Sequence, residues 1–441
     1  MKTAFTIIIC KLIRFVGSLL GRGSSLPGEI ALKLCPDILS RVKLPETVIA
    51  VTGSNGKTST VEMIAHILTS AGKSFAYNRE GSNQIEGVTA LILCNCTLSG
   101  RFRKDILLIE SDERYARHTF KYIKPTHYVI TNLYRDQLTR NGHPEWVYDA
   151  IKDSIPENCR LTVNADDPLV SLFAWKRENA VYFGMDRQSF STDENTGMYD
   201  DGKYCPVCFG KMVYSFRHYN HIGSYHCPVC GYRRVEPDHR ITLADLEEGY
   251  LMIDGRDRIG LAFKSIYNAY NILACYTLCR QIGLEGGFIA KEISNYVLKN
   301  GRVVNFRLGD TVGTLITSKH ENSVSYDQSL RYISAQKEPH AVSVTVDAIS
   351  RKYFTSDTSW LWDIDFDLLD TPQTEHIYLC GRYAYDLAVR FSYTAIPQDR
   401  ITVTESIPES LDTIKAAGHC RLYAVTCFSD KDKILSRVEK E

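Results

Sequence analysis

Residues 51–60 read VTGSNGKTST, a glycine-lined turn into Gly-Lys-Thr directly after an apolar run. Gly53, Asn55 and Gly56 tolerate the tight backbone angles that aim successive N–H groups at an anion, and a helix opening near Lys57 adds its positive dipole end. Lys57 then suits the neutralisation of β- and γ-phosphates, and the Thr58 hydroxyl, followed by Ser59, suits a phosphate-bound magnesium ion. The spacing departs from the common G-x-x-x-x-G-K-[ST] loop, because Val51 occupies the place of its first glycine. Two more stretches offer partners for such a loop. Glu110 ends an apolar run in LLIESDE, where a strand-end carboxylate reaches a metal at the carboxyl edge of a sheet, and VITNLYRDQL presents Asn132 and Asp136 after another.

A second constellation is sulfur. Cys205, Cys208, Cys227 and Cys230 form C-x2-C, eighteen residues, C-x2-C. Each C-x2-C turn directs two thiolates at one ion, so the set predicts tetrahedral zinc held by four protein ligands in a closed, structural site. His218, His221 and His226 lie between the pairs and are read as packing or surface residues. The other ten of the fourteen cysteines are scattered, which predicts free thiols in a reducing cytoplasm rather than a disulfide framework.

These residues must be positioned by something. Short β-branched runs at Thr47–Val51, Ile106–Ile109, Tyr128–Thr131, Leu161–Val163 and Val181–Phe183 alternate with helical spacing, as in Val61, Ile64, Ala65 and Leu68. That alternation predicts an α/β fold with a mostly parallel sheet. The polar stretch from Gln188 to Lys203 opens an insertion of about residues 200–238 that contains the cysteines, and a helix at Tyr267–Gly283 resumes the domain. A boundary near Gly309–Thr314 precedes a second α/β series, with strands at Thr314–Thr317, Ala341–Val346, His376–Cys380 and Leu422–Thr426. The expected organisation is thus an N-terminal helical segment (1–45), a central domain (46–309) and a C-terminal domain (310–441). In the first segment Ile7, Cys10, Leu12, Ile13, Val16 and Leu19-Leu20 fall near helical spacing, which predicts an amphipathic helix docked on the body, with a membrane surface as the alternative. No run of 18 apolar residues occurs, so no membrane span is expected. Lys+Arg and Asp+Glu are both 52, and no like-charged block stands out, which argues against nucleic acid as partner.

The loop TGSNGKTST, strand-end Glu110, TNLYRDQ and NADDP (164–168) together resemble the Mur ligase family, ATP-dependent amide-forming enzymes of cell-wall synthesis. GRGSSLPGEIALKL (21–34), YNREGSNQIEGV (77–88), VYFGMD (181–186), the cysteine insertion, YNAYN (267–271) and DTSWLWDIDF (357–366) narrow the resemblance to the MurT type over nearly the whole chain. The implied fold is a Mur-ligase-type central P-loop ATPase domain with a zinc-ribbon insertion, plus a C-terminal Rossmann-like α/β domain. The implied activity is that of a cytoplasmic ligase subunit of the lipid II isoglutaminyl synthase. It activates the D-glutamate α-carboxyl of the stem peptide with ATP and magnesium, while a GatD-type glutaminase subunit supplies ammonia. Lys57, Thr58 and Glu110 suit that phosphoryl chemistry. Asn268 and Asn271, at i and i+3 of a helix start, fall near the nucleotide base by resemblance, and Arg302 joins the nucleotide-binding set. Asp357 best matches an aspartate that the family carries at the glutaminase boundary, with Asp363 as second choice. The chain departs from the family pattern at Tyr353-Phe354-Thr355, Val303-Val304-Asn305 and Lys319-His320-Glu321-Asn322. Those departures leave an ATP-binding scaffold open, and a Mur-type ligase of the folylpolyglutamate synthase kind is the other alternative.

Overall fold

Apolar runs of five or six residues, buried on both faces, form the centre of each of two sheets, as parallel strands covered by helices require. The computed structural model describes residues 2–19, 25–78, 82–297, 303–349 and 357–440. It divides into one unit of Met1–Tyr134, Pro144–Thr196 and Asp200–Leu298, and a second of Arg135–His143, Gly197–Tyr199 and Lys299–Glu441.

In the first unit the strands are β1 (Thr47–Thr52), β2 (Phe75–Tyr77), β3 (Ile106–Glu110), β4 (His127–Ile130), β5 (Arg160–Asn164) and β6 (Ala180–Met185). They are followed by the hairpin β7 (Val213–Tyr219) and β8 (Ile222–His226), then β9 (His239–Asp245), β10 (Tyr250–Ile253) and β11 (Asp257–Gly260). The nine-stranded sheet runs β11-β10-β9-β6-β5-β4-β1-β3-β2, with β7 and β8 paired apart from it. Strands β1 to β6 pair in parallel, whereas β9 to β11 close the edge as an antiparallel meander. The register sets Val51 beside Glu110 and Thr52 beside Ile130, so the loop leaves β1 between the ends of β3 and β4. Each expected strand is found, longer by one to four residues or shifted by one. The meander was not foreseen, because its strands are half exposed and interrupted by polar turns.

Helix α1 (Lys2–Leu19) packs with α2 (Leu26–Leu34), α3 (Lys57–Ser70) follows the loop, and α4 (Ile85–Cys94) lies against α2. A Cβ on Gly28 would stand 1.8 Å from the Glu86 carbonyl oxygen, so the α2–α4 approach requires glycine. Ile7, Cys10, Ala31, Cys35, Val88 and Ile92 join Val48 and Leu107 in one core layer on the sheet. Docking on the body therefore holds for Ile7 and Cys10; Leu12, Val16 and Leu19 are exposed, because the helix is apolar on two sides and only one is met. The helix Ile266–Gln281 is buried almost all round, including Cys275 and Cys279.

The second unit contains β12 (Val303–Leu308), β13 (Thr311–Ser318), β14 (His340–Thr345), β15 (Thr374–Cys380), β16 (Ile401–Thr404), β17 (Arg421–Cys427) and β18 (Glu439–Lys440). Its order is β16-β15-β14-β17-β13-β12-β18; the first five are parallel and the last two antiparallel. Val342, Val344, Leu379 and Val425 meet Tyr326, Trp360, Phe366 and Phe391 in its core.

Candidate functional site

Gly56 adopts φ 83° and Gly53 φ 136°, conformations that favour glycine, and Gly56 opens α3. The first helical hydrogen bond runs from Thr60 N–H to Gly56 oxygen (2.9 Å), so the N–H groups of Lys57, Thr58 and Ser59 precede the ladder at the positive helix end. The loop is clamped from β4. Asn132 Oδ1 accepts from Asn55 N–H (2.8 Å), Asn132 Nδ2 donates to Asn55 oxygen (3.1 Å), and the Thr131 hydroxyl donates to the same oxygen (2.8 Å). Ser54 N–H donates to Asn132 oxygen, while Tyr134 N–H donates to the Ser54 hydroxyl. Asn132, expected as a nucleotide contact, is thus engaged in shaping the loop.

The Lys57 amine lies 2.5 Å from Gly53 oxygen and 2.8 Å from a carboxylate oxygen of Glu113; both side chains are nearly buried. Glu110 is also buried, and its carboxyl meets the Thr58 hydroxyl and the Asn83 amide. Burial raises the Glu110 pKa, while the Lys57 charge and the hydrogen bonds from Thr58 and Asn83 oppose the rise. Asn78 fixes this strand end by accepting from Glu110 N–H (2.8 Å) and donating to its carbonyl oxygen (2.9 Å). Glu113 and Asn78 were missed. Glu113 lies in LLIESDE, three residues after Glu110.

Asn271 is brought to the loop: a Cβ on Gly56 would stand 1.9 Å from Asn271 Oδ1. Asn268 is not directed at the loop in the same way. Its N–H is capped by the Ser265 hydroxyl (3.2 Å) and its amide donates to Phe263 oxygen (3.0 Å). It lines a shallow depression with Met63, Gly260, Ala262 and Tyr296. Arg302 and the Tyr353–Thr355 departure lie outside the described residues.

The four cysteine sulfurs lie within 4.8 Å of one another, with Cys205–Cys230 at 3.6 Å and Cys208–Cys227 at 3.5 Å. Zinc–sulfur bonds of about 2.3 Å in a tetrahedron place sulfurs about 3.8 Å apart, so the cluster fits that ion. The two turns repeat each other. Phe209 N–H donates to Cys205 oxygen and Gly231 N–H to Cys227 oxygen, and both residues have positive φ (60° and 78°). No histidine joins the cluster among the described residues. His218 bonds the Ser191 hydroxyl and the Met185 carbonyl, and His221 faces Asp167 at 3.7 Å. The NADDP carboxylates anchor this insertion from below. Asp166 accepts from Arg234 (2.5 Å), Tyr270 (2.6 Å) and Met185 N–H (2.7 Å), while Asp167 caps the following helix and accepts from Leu133 N–H.

In the second unit Asp357 is exposed and accepts from Ser359 N–H (2.8 Å), opening the 3-10 turn Ser359–Asp363. Asp363, the second choice, is held in an ion pair with Arg135 (2.8 Å). Asp136 of TNLYRDQ pairs with Lys319 and accepts from Asn322 Nδ2 (2.8 Å), and Asn322 caps the helix Ser323–Ser334. The departure at Lys319–Asn322 therefore builds an internal network, with Glu321 at φ 48°.

Two family models match, the Mur ligase middle domain over residues 51–231 and the MurT ligase C-terminal domain over 320–430. The fold is similar to that of a pseudomurein peptide ligase type C from Methanothermus fervidus (TM-score 0.69, 18% identity, 91% of this chain and 81% of that one). A short phosphate loop between β3 and β4, on a parallel sheet followed by a second α/β unit, defines a Mur ligase, one of the ATP-dependent carbon–nitrogen ligases. The chain is 32% identical over 97% of its length, and 95% of the relative's, to the lipid II isoglutaminyl synthase (glutamine-hydrolyzing) subunit MurT of Streptococcus pneumoniae. It is 29% identical over 90% of its length, and 89% of the relative's, to that of Staphylococcus aureus strain COL. The chain belongs to the MurT family.

Proposed function

We propose that this chain activates the D-glutamate α-carboxylate of the lipid II stem peptide as an acyl phosphate, for amidation by ammonia from a GatD-type glutaminase. The observation that carries this reading is the gathering of Lys57, Thr58, Glu110 and Glu113 at the head of α3, in a chain whose relatives are named isoglutaminyl synthase subunits. Gly53, Asn55, Gly56, Lys57, Thr58 and Ser59 cradle the phosphates, with Asn132 holding the loop and Asn268, Asn271 and Arg302 assigned to the nucleotide. Thr58 and Glu110 would hold magnesium, which would supply charge neutralisation on the transferring phosphoryl group. A carboxylate oxygen attacks the γ-phosphorus as the bond to ADP breaks. Ammonia then attacks the acyl carbon, phosphate leaves, and the nitrogen passes its surplus proton to the departing phosphate. Lys57 offsets the charge of the transferred group.

Cys205, Cys208, Cys227 and Cys230 are assigned to structural zinc. Asp357 is assigned to the glutaminase boundary, where Trp362, Tyr385, Val389 and Tyr393 offer an exposed apolar surface to a partner. The proposed organisation is an N-terminal segment to residue 45, an ATP-binding domain to 309 and a C-terminal domain from 310, at work in the cytoplasm.

The test is to supply the chain and the glutaminase encoded beside it with lipid II, ATP and glutamine, and to follow conversion of one carboxyl to an amide by mass spectrometry. Lys57→Ala is expected to abolish the product, and Asp357→Asn to lower glutamine-supported amidation more than ammonium-supported amidation. ATP cleavage that requires a free amino acid would support a conventional ligase instead, and nucleotide binding without any product would support a scaffold.

A further inference from the structure

Helix α1 has two apolar faces, and the protein covers one of them. Ile7 and Cys10 are fully buried. Phe5, Ile8, Leu12, Phe15, Val16 and Leu19 are between 47 and 72% exposed, and their spacing of three and four residues makes one continuous stripe on the opposite side. At 100° per residue, Lys2 borders the stripe on one edge and Lys11 on the other, the Lys11 amine donating to Cys96 oxygen (2.6 Å), while Arg14 falls on the side of Ile7 and Cys10. The helix holds no acidic residue. Its positive character continues onto the neighbouring loop. A Cβ on Gly100 would lie 3.7 Å from Thr3 Cγ2, and Arg101, Arg103 and Lys104, all exposed, follow directly.

An apolar stripe with basic margins on a helix that lies along the surface is the pattern of an element resting in the plane of a lipid interface. No helix among the described residues is long and apolar enough to cross a membrane, so insertion would be shallow. A second copy of the same face would bring like charges together, whereas an anionic surface complements them.

We propose that the exposed face of α1 inserts into the interfacial region of an anionic lipid bilayer, with its basic margins at the headgroups. This inference stands on the helix itself and needs no substrate. The full chain should be floated with vesicles of phosphatidylcholine, alone or mixed with phosphatidylglycerol, at low and high salt. Binding is expected to the anionic vesicles and to weaken with salt. Leu12→Ser with Phe15→Ser should lower it by about tenfold or more, and Lys2→Gln should lower it less, with thermal unfolding unchanged because these side chains are exposed. Three results would overturn the proposal: no flotation with either vesicle, equal binding by the double variant, or lipid-independent self-association that the double variant abolishes.

Discussion

Lys57 carries two duties. It is the cation of the proposed phosphate site and also the partner of Glu113 in a nearly buried pair. Removing one member of such a pair strands the other charge away from water, at a cost of about 3 kcal/mol or more, whereas an uncharged pair of similar shape avoids most of it. Lys57→Ala is therefore expected to lose both turnover and stability. Lys57→Met combined with Glu113→Gln should recover most of the stability in a denaturant titration while remaining inactive. Recovery of turnover in that double variant would remove Lys57 from the chemistry. Glu110 differs from Glu113 in its company: Thr58 and Asn83 bond its carboxyl, and burial raises its pKa. A dication beside it would favour its ionised form.

At the scale of elements, the cysteine turns act as one closed unit. Cys208→Ser or a strong chelator is expected to release one zinc ion per chain and loosen the insertion, measured by metal analysis and by proteolysis between residues 190 and 238. Full zinc content in Cys208→Ser would refute the assignment. In the second unit, the helix Ser323–Ser334 receives the acidic turn Phe366–Leu369 through Asp327, which accepts from Asp365 N–H (3.0 Å). Burial pushes Asp327 up from 3.8 to about 7, with Asp365 and Asp363 adding to the rise and Asp365 N–H and Arg331 opposing it. The folded chain therefore keeps a proton that the unfolded chain releases in that window, and Asp327 makes stability fall as pH rises from 3.8 to about 7. Asp327→Asn keeps the acceptor, removes the charge, and should flatten that slope in melts taken across the range. An unchanged slope would contradict this. The central strands, α3 and the cysteine turns were legible because periodicity, β-branching and fixed ligand spacing are local signals. The β9–β11 meander and the edge strands β12 and β18 were not, since half-exposed strands lack a continuous apolar run. Glu113 and the clamping role of Asn132 depend on register between β1, β3 and β4, which no single segment encodes.

For the whole molecule, the residues proposed to bind phosphate belong to one unit and Asp357 to the other. The family's loop and carboxylates fit phosphoryl transfer to a carboxylate, and the residues at 319–322 that depart from the family pattern form an ordered network rather than a gap. Whether the acceptor is a carboxylate activated as an acyl phosphate is decided by labelling both oxygens of the stem-peptide D-glutamate α-carboxyl with heavy oxygen. The chain, its glutaminase, ATP and glutamine are then added, and the released phosphate is analysed. One labelled oxygen in phosphate is expected for each amide formed, and neither product with Lys57→Ala. Amide formed with unlabelled phosphate would contradict activation as an acyl phosphate.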